Sequence, residues 1–267
     1  MPVNRTITTS FGANFMYTYD LCAPESVNMR HCHDHYEILF IVRGSGKCVI
    51  EGRSFDIRPG SLMIMKPFEY HGMEIDADAP YERYVIHFPI SALVEDAKKP
   101  LLEILNSEDT NGRFYSAQAL TQNVISLFER LDVTSPLQAD KDVYYKMLLS
   151  ELIVLLSICD GERITHSEEE IGARVIKYLN EHITKDISLD KLARRFFVSK
   201  YYLCRAFKKH NGISIHGYIN QKRVMYAKQL IESGESASGA AYRVGFGDYS
   251  AFYRAYVKVL GKSPTAN

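Results

Sequence analysis

Between residues 15 and 90 the apolar positions fall in short runs, 37–42, 47–50, 61–65 and 84–87, broken by Arg43-Gly44-Ser45-Gly46 and Arg58-Pro59-Gly60. Runs of that length between glycine and proline turn signals predict short strands, and strands at this spacing build a small β-barrel or sandwich. From about Ala92 the period changes to that of helices. Leu127 and Leu131 lie four apart, and Leu148, Leu152, Leu155 and Leu156 form a stripe between Tyr144 and Cys159. A helix with that stripe either seals the barrel as plain core or pairs with its copy in a second subunit. Residues 160–170 are polar, contain Gly161 and carry three consecutive glutamates, which marks a linker and a domain boundary.

The last hundred residues read as helices. Ser188 is placed to cap one bearing Leu189, Leu192, Ala193 and Phe196, and Ser199 to cap the next, with Leu203 and Phe207 on one side. Two short helices joined by a tight turn are a helix-turn-helix candidate. On the second helix Tyr201, Cys204, Arg205 and Lys208 follow the i, i+3, i+4, i+7 spacing on the face away from Leu203 and Phe207. A related pattern follows about fifty residues later. Residues 237–243 predict a short helix and Val244-Gly245-Phe246 a turn. Asp248 then caps a helix with Phe252, Tyr256 and Val259 inward and Ser250, Tyr253 and Arg254 outward. Between the units Ile215, Ile219, Tyr226 and Leu230 mark a helix of about 18 residues, roughly 27 Å long. Such a spacer holds two reading helices near the ~34 Å of one DNA turn, one for each of two successive major grooves.

A length of 267 residues favours two domains, and 46% hydrophobic with 24% charged residues is ordinary globular composition. The longest apolar run, about 152–159, is far short of the ~20 residues of a membrane span, and the N-terminal stretch lacks a hydrophobic signal core. A cytoplasmic protein without membrane association is expected. Cys22, Cys32, Cys48, Cys159 and Cys204 are odd in number and include no C-x-x-C pair, so neither a disulfide framework nor a zinc knuckle is indicated. Charge alters the picture most. Residues 1–167 carry 15 basic against 23 acidic side chains and residues 168–267 carry 17 against 9, so a net charge of zero conceals halves of −8 and +8. A basic helical half points to nucleic acid.

The stretch SLDKLARRFFVSKYYLCRAFKKHNGISIHGYINQKRVMYAKQLI resembles the first helix-turn-helix and connecting helix of the AraC/XylS-type bacterial transcription regulators, and AAYRVGFGDYSAFYRAYVKVLGKSP resembles their second unit. The resemblance implies base-reading positions at Tyr201, Cys204, Arg205, Tyr249, Ser250, Tyr253 and Arg254, with Lys200, Lys208, Lys209, Arg194 and Arg195 meeting phosphates. Phe197 stands where a turn glycine is common, and Ala240, beside Gly239, where a bulky aliphatic usually packs. In the N-terminal half His31-x-His33-x-x-x-Glu37 with Gly44, then Pro67 and His71, is similar to the two motifs of cupin-type sensor domains, although the second lacks its internal glycine and final asparagine. The layout implied is an α+β chain: a cupin-like sensor β-barrel at 1–95, a helical dimerisation segment at 96–160, a linker at 161–170 and a double helix-turn-helix domain at 171–267.

Strand alternation puts His31, His33, His35, Glu37, Leu39 and Ile41 on one face, so with Leu39 and Ile41 inward the histidines and Glu37 line the barrel mouth. Together with His71 they form the expected effector site. No cofactor is required there, and a small polar effector held by hydrogen bonds is the favoured occupant. The same groups are also a ligand set for Zn, Mn, Fe or Ni. Cys32 has the opposite parity and points away as a packed thiol, the reading given also to Cys22, Cys48 and Cys159. Cys204 on the reading face suits contact with a thymine methyl better than redox sensing. The reading is a ligand-responsive, sequence-specific transcription regulator, a homodimer that binds double-stranded DNA and activates through RNA polymerase, and not an enzyme. Its rivals are a metal-dependent cupin enzyme fused to a DNA-binding domain, and a DNA binder that ignores small molecules.

Overall fold

The computed structural model describes residues 5–11, 15–22, 30–76, 81–106, 113–132, 141–159 and 171–265, with the side chains of 5–11, 15–22, 132 and 141 left aside. The linker expected at 161–170 lies outside the described residues. Among the described residues the N-terminal half has nine strands: β1 Arg5–Phe11, β2 Phe15–Cys22, β3 Tyr36–Arg43, β4 Gly46–Ile50, β5 Arg53–Ile57, β6 Leu62–Met65, β7 His71–Ile75, β8 Tyr81–Phe88 and β9 Phe114–Tyr115. They pair into a six-stranded sheet in the order β1-β2-β8-β3-β6-β9 and a three-stranded sheet in the order β5-β4-β7. The barrel or sandwich expected from strand spacing thus takes the form of two sheets. Among the described residues no ladder joins the edge strands of one to those of the other.

Alternation along β3 explains how the sheets are filled. Leu39 and Ile41 lie with Met63, Met65 and Val85 against Cys48, Ile50, Phe55 and Met73 of the smaller sheet, a closed apolar layer. Ile38 and Phe40, with the opposite parity, turn to the other face of the large sheet. That face is covered by α1 Glu95–Asn106, α2 Gln122–Asp132 and α3 Lys141–Ser157. Leu127, Phe128, Leu148, Leu152 and Leu156 all enter this second core. Of the two roles open to the stripe at Leu148, Leu152 and Leu156, core is the one it takes, since those side chains are at most 3% exposed. The exposed face of α3 carries instead Val143, Met147 and Val154, continued by Ile158 just past its end.

The C-terminal half is helical: α4 Ile171–His182, α5 Leu189–Arg195, α6 Lys200–Asn211, α7 Ile215–Glu232, α8 Ala237–Arg243 and α9 Tyr249–Leu260. The three expected caps form. Ser188, Ser199 and Asp248 accept from the backbone N–H groups of Lys191, Tyr202 and Ala251. Ser214 and Ser236 cap α7 and α8 in the same way. The spacer helix α7 has the 18 residues expected. It packs into both units, Tyr218 and Ile219 with the first and Val224 and Ala227 with the second. Arg223 ties the units together by donating to the carbonyls of Ile183, Lys185 and Gly245 at 2.6–2.8 Å. Gly245, at φ +97°, admits no side chain, since a Cβ there would stand 2.8 Å from the Thr184 carbonyl.

Candidate effector site and nucleic-acid interface

The sequence-predicted His31, His33, Glu37 and His71 come together, their ligand atoms all within 4.8 Å of one another. Two elements position them. His31 and His71 form an antiparallel bridge, exchanging backbone hydrogen bonds of 2.8 and 2.9 Å, and Glu37 begins the buried face of β3. A fifth member is His87, which stands opposite Glu37 in the β3–β8 ladder and approaches its Oε2 to 3.0 Å. Sequence reading predicts the strand that contains His87 but not its register against β3, so His87 was not identified. His35 stacks on His33 at 4.0 Å between ring centroids, and His33, His35 and His87 form a second group with metal-ligand spacing.

His33 faces one acceptor more than it has protons to give. Burial is the largest influence on His33 and brings its pKa down to about 4, so the ring is neutral near pH 7 and carries a single N–H. Yet both ring nitrogens face oxygen acceptors, Nδ1 the His35 carbonyl at 3.0 Å and Nε2 the Glu37 carboxylate at 2.7 Å. His71 is oriented in the same way but titrates the other way: burial pushes its pKa down, and the Glu37 carboxylate beside it outweighs that and raises it. Its Nδ1 faces the Glu69 carbonyl at 2.8 Å. Its Nε2 lies 3.4 Å from Glu37 Oε2 without a hydrogen bond, a buried polar atom lacking a partner. Burial pushes the Glu37 carboxyl up, but the His71 charge and the surrounding imidazoles outweigh it and hold Glu37 well below the usual carboxylate range. When both Nδ1–H groups donate to their carbonyls, the Nε2 lone pairs and the carboxylate converge on a common point. A divalent transition metal ion or a donor-rich polar ligand satisfies that arrangement, with the Nδ1 bonds orienting the rings. The residues present therefore fit a metal.

The second site is a surface. On α6, Lys200, Tyr201, Arg205, Lys208 and Lys209 are exposed, while Cys204 is half-buried against the first unit's core. On α9, Ser250, Tyr253 and Arg254 are exposed, and Tyr249 is half-buried against the second unit's core. Tyr202, which the spacing argument passes over, is also exposed, at 53%. Arg195 stacks its guanidinium 4.4 Å over the Tyr178 ring, and Lys200 pairs with Asp190 at 3.0 Å.

Residues 16–156 match the model of the AraC-like ligand binding domain, and residues 192–266 match that of a helix-turn-helix domain. The chain is similar to the uncharacterized HTH-type transcriptional regulator YbfI of Bacillus subtilis, with 29% identity over 82% of this chain and 79% of the relative. It is also similar to the HTH-type transcriptional activator RhaS of Salmonella schwarzengrund, with 25% identity over 90% of this chain and 87% of the relative. Among solved structures, ToxT from Vibrio cholerae aligns over 94% of this chain and 97% of its own, with 17% identity and a TM-score of 0.42.

Proposed function

Because the chain belongs to the AraC family of ligand-responsive, DNA-binding transcription regulators, we propose that it activates transcription by reading an operator with α6 and α9 under control of a ligand held by His31, His33, Glu37 and His71. The observation that carries the reading is the division of the molecule. A buried polar cluster is built into the sheet half, and two exposed basic and aromatic helix faces lie on a common spacer helix in the other. Arg205, Tyr201, Tyr253, Arg254 and Ser250 read base edges, and Lys200, Lys208 and Lys209 meet phosphates. The relatives named as activators support activation over repression, and RNA polymerase is the partner that activation calls for. Residues 1–95 form the sensor and 96–160 the dimerisation segment, joined through 161–170 to the DNA-binding domain at 171–267.

Homodimerisation uses the exposed face of α3, where Val143, Met147 and Val154, with Ile158 just past its end, make an apolar strip unusual on a monomer. The protein works in the cytoplasm. Among the described residues no helix is long and apolar enough to cross a membrane. At the histidine cluster, His33, His71, Glu37 and His31 would hold a first-row divalent ion, which supplies a Lewis-acidic attachment point for an oxygen-rich effector. His87 donates to Glu37 and His35 backs His33, so both keep the first group in place. Replacing His33 and His71 together by Ala is expected to abolish the response in a reporter assay and leave operator binding intact. A double variant that responds normally would place the sensor site elsewhere.

A further inference from the structure

The segment that carries His31, His33 and His35, just ahead of β3, has two faces, and the second is in use. His31, His33 and His35 turn to the cluster, whereas Cys32 and Asp34 turn to the C-terminal helices. Cys32 is buried in the apolar cluster of the first helix-turn-helix unit, where desolvation pushes its thiol up to about 12. Asp34 Oδ2 accepts from Lys228 Nζ of α7 at 2.6 Å, while its other oxygen faces the His35 ring at 3.2 Å. The His33 carbonyl accepts from the Phe68 N–H at 2.6 Å, and the Phe68 ring stacks on Tyr226 of α7 at 4.2 Å.

A second grip comes from the β4–β5 hairpin. Its two-residue turn, Glu51-Gly52, holds both residues at positive φ, +49° and +77°. Asn-Gly is the sequence best suited to such a turn, and a glutamate at its first position is strained. The strain has a visible use. The Glu51 carboxylate accepts from Lys222 Nζ at 2.6 Å, from the Tyr70 N–H at 2.7 Å and from the Tyr218 hydroxyl. Gly52 lies so close to α6 that a Cβ would stand 2.2 Å from the His210 ring. Lys222 and Glu51 are 5% and 10% exposed, so this is a buried ion pair between the two halves of the chain.

We propose that Asp34 and Glu51 form a latch on α7 through which occupancy of the histidine cluster is transmitted to both DNA-reading units. The proposal rests on reading that cluster as a ligand site. A ligand that satisfies the converging lone pairs stabilises the present course of residues 31–35, and that course is the one in which Cys32 and Asp34 hold α7. Binding at the cluster therefore tightens docking, and docking tightens binding by the same factor. The exposed faces of α6 and α9 stay open in the docked form, so the latch sets the frame of the reading helices and does not mask them.

Zinc(II) added to the full-length chain tests this, with calorimetry reporting binding and hydrogen exchange reporting α7. One zinc per chain is expected, with exchange in residues 218–228 slowed by a factor in the ~5–150 range of ordinary inter-site coupling. The Asp34→Asn, Glu51→Gln double variant should still take up one zinc without the slowing. Zinc binding that leaves wild-type exchange unchanged overturns the latch while the site stands, and equal slowing in the double variant overturns the two residues assigned to it. If zinc does not bind, the metal reading fails. The latch is then judged on metal-free His33→Ala, where exchange in 218–228 should rise, and unchanged exchange contradicts it.

Discussion

Arg205 and Lys209 lie one turn apart on the exposed side of α6, yet they are expected to behave differently. A guanidinium takes a guanine edge with two parallel bonds, whereas an ammonium at the helix end offers charge without base information. Arg205→Ala should cost about 1–3 kcal/mol on the operator and relax preference at one base pair. Lys209→Ala should weaken all sequences about equally and lower the salt slope by about 1. Competition binding with single-base operator variants checks this, and identical profiles for the two variants would contradict it. At this scale the sequence carries much of the cluster, because residues 31–37 lie on one alternating stretch and parity alone groups His31, His33 and Glu37. His71 came from its likeness to a motif, and His87 depends on strand register. Phe197 was legible as a departure from a turn glycine. It takes that glycine's left-handed backbone, φ +56°, with its ring 93% exposed.

At the scale of elements the helical half was more legible than the sheets. Caps and inward stripes are local signals, so α5 to α9 follow from Ser188, Ser199, Asp248 and the spacing of Phe252 and Tyr256. Strands β1, β2, β5, β7 and β9 lie outside the runs that spacing marks as strands, and β5 and β7 show why. These two are five residues each, and β7 contains Gly72 and Glu74, so neither offers a clear apolar run. Helix α3 shows a different limit. Apolar residues surround it, and periodicity cannot tell which side faces its own sheet and which faces outward. The structure separates the two sides, and the proposed dimer makes a prediction from each. Met147→Glu with Val154→Glu should convert a dimer into a folded monomer in sedimentation velocity. Leu152→Lys should unfold the sensor half, because an unpaired ammonium cannot be accommodated in that core. An unchanged sedimentation profile in the first variant would remove α3 as the seam.

Across the whole molecule, the contrast of −8 and +8 between the halves anticipated the division into a sheet-rich sensor and a helical reader. It did not anticipate their contact. Lys222 and Arg223, adjacent charges on the spacer helix, are both buried, one against Glu51 across the interface and the other against carbonyls within the helical half. Pairing at such distance in sequence leaves no local trace. Sequence-specific DNA binding by the basic half is tested by a salt titration. Genomic fragments captured by the full-length protein would be titrated by fluorescence anisotropy between 50 and 200 mM salt, beside a scrambled fragment of equal length. With ~6–10 phosphate contacts, affinity should fall by three or more decades across that range. At fixed salt the captured fragment should bind at least ~10³-fold more tightly than the scrambled one. A flat salt response, or equal affinity for both fragments, would contradict the account.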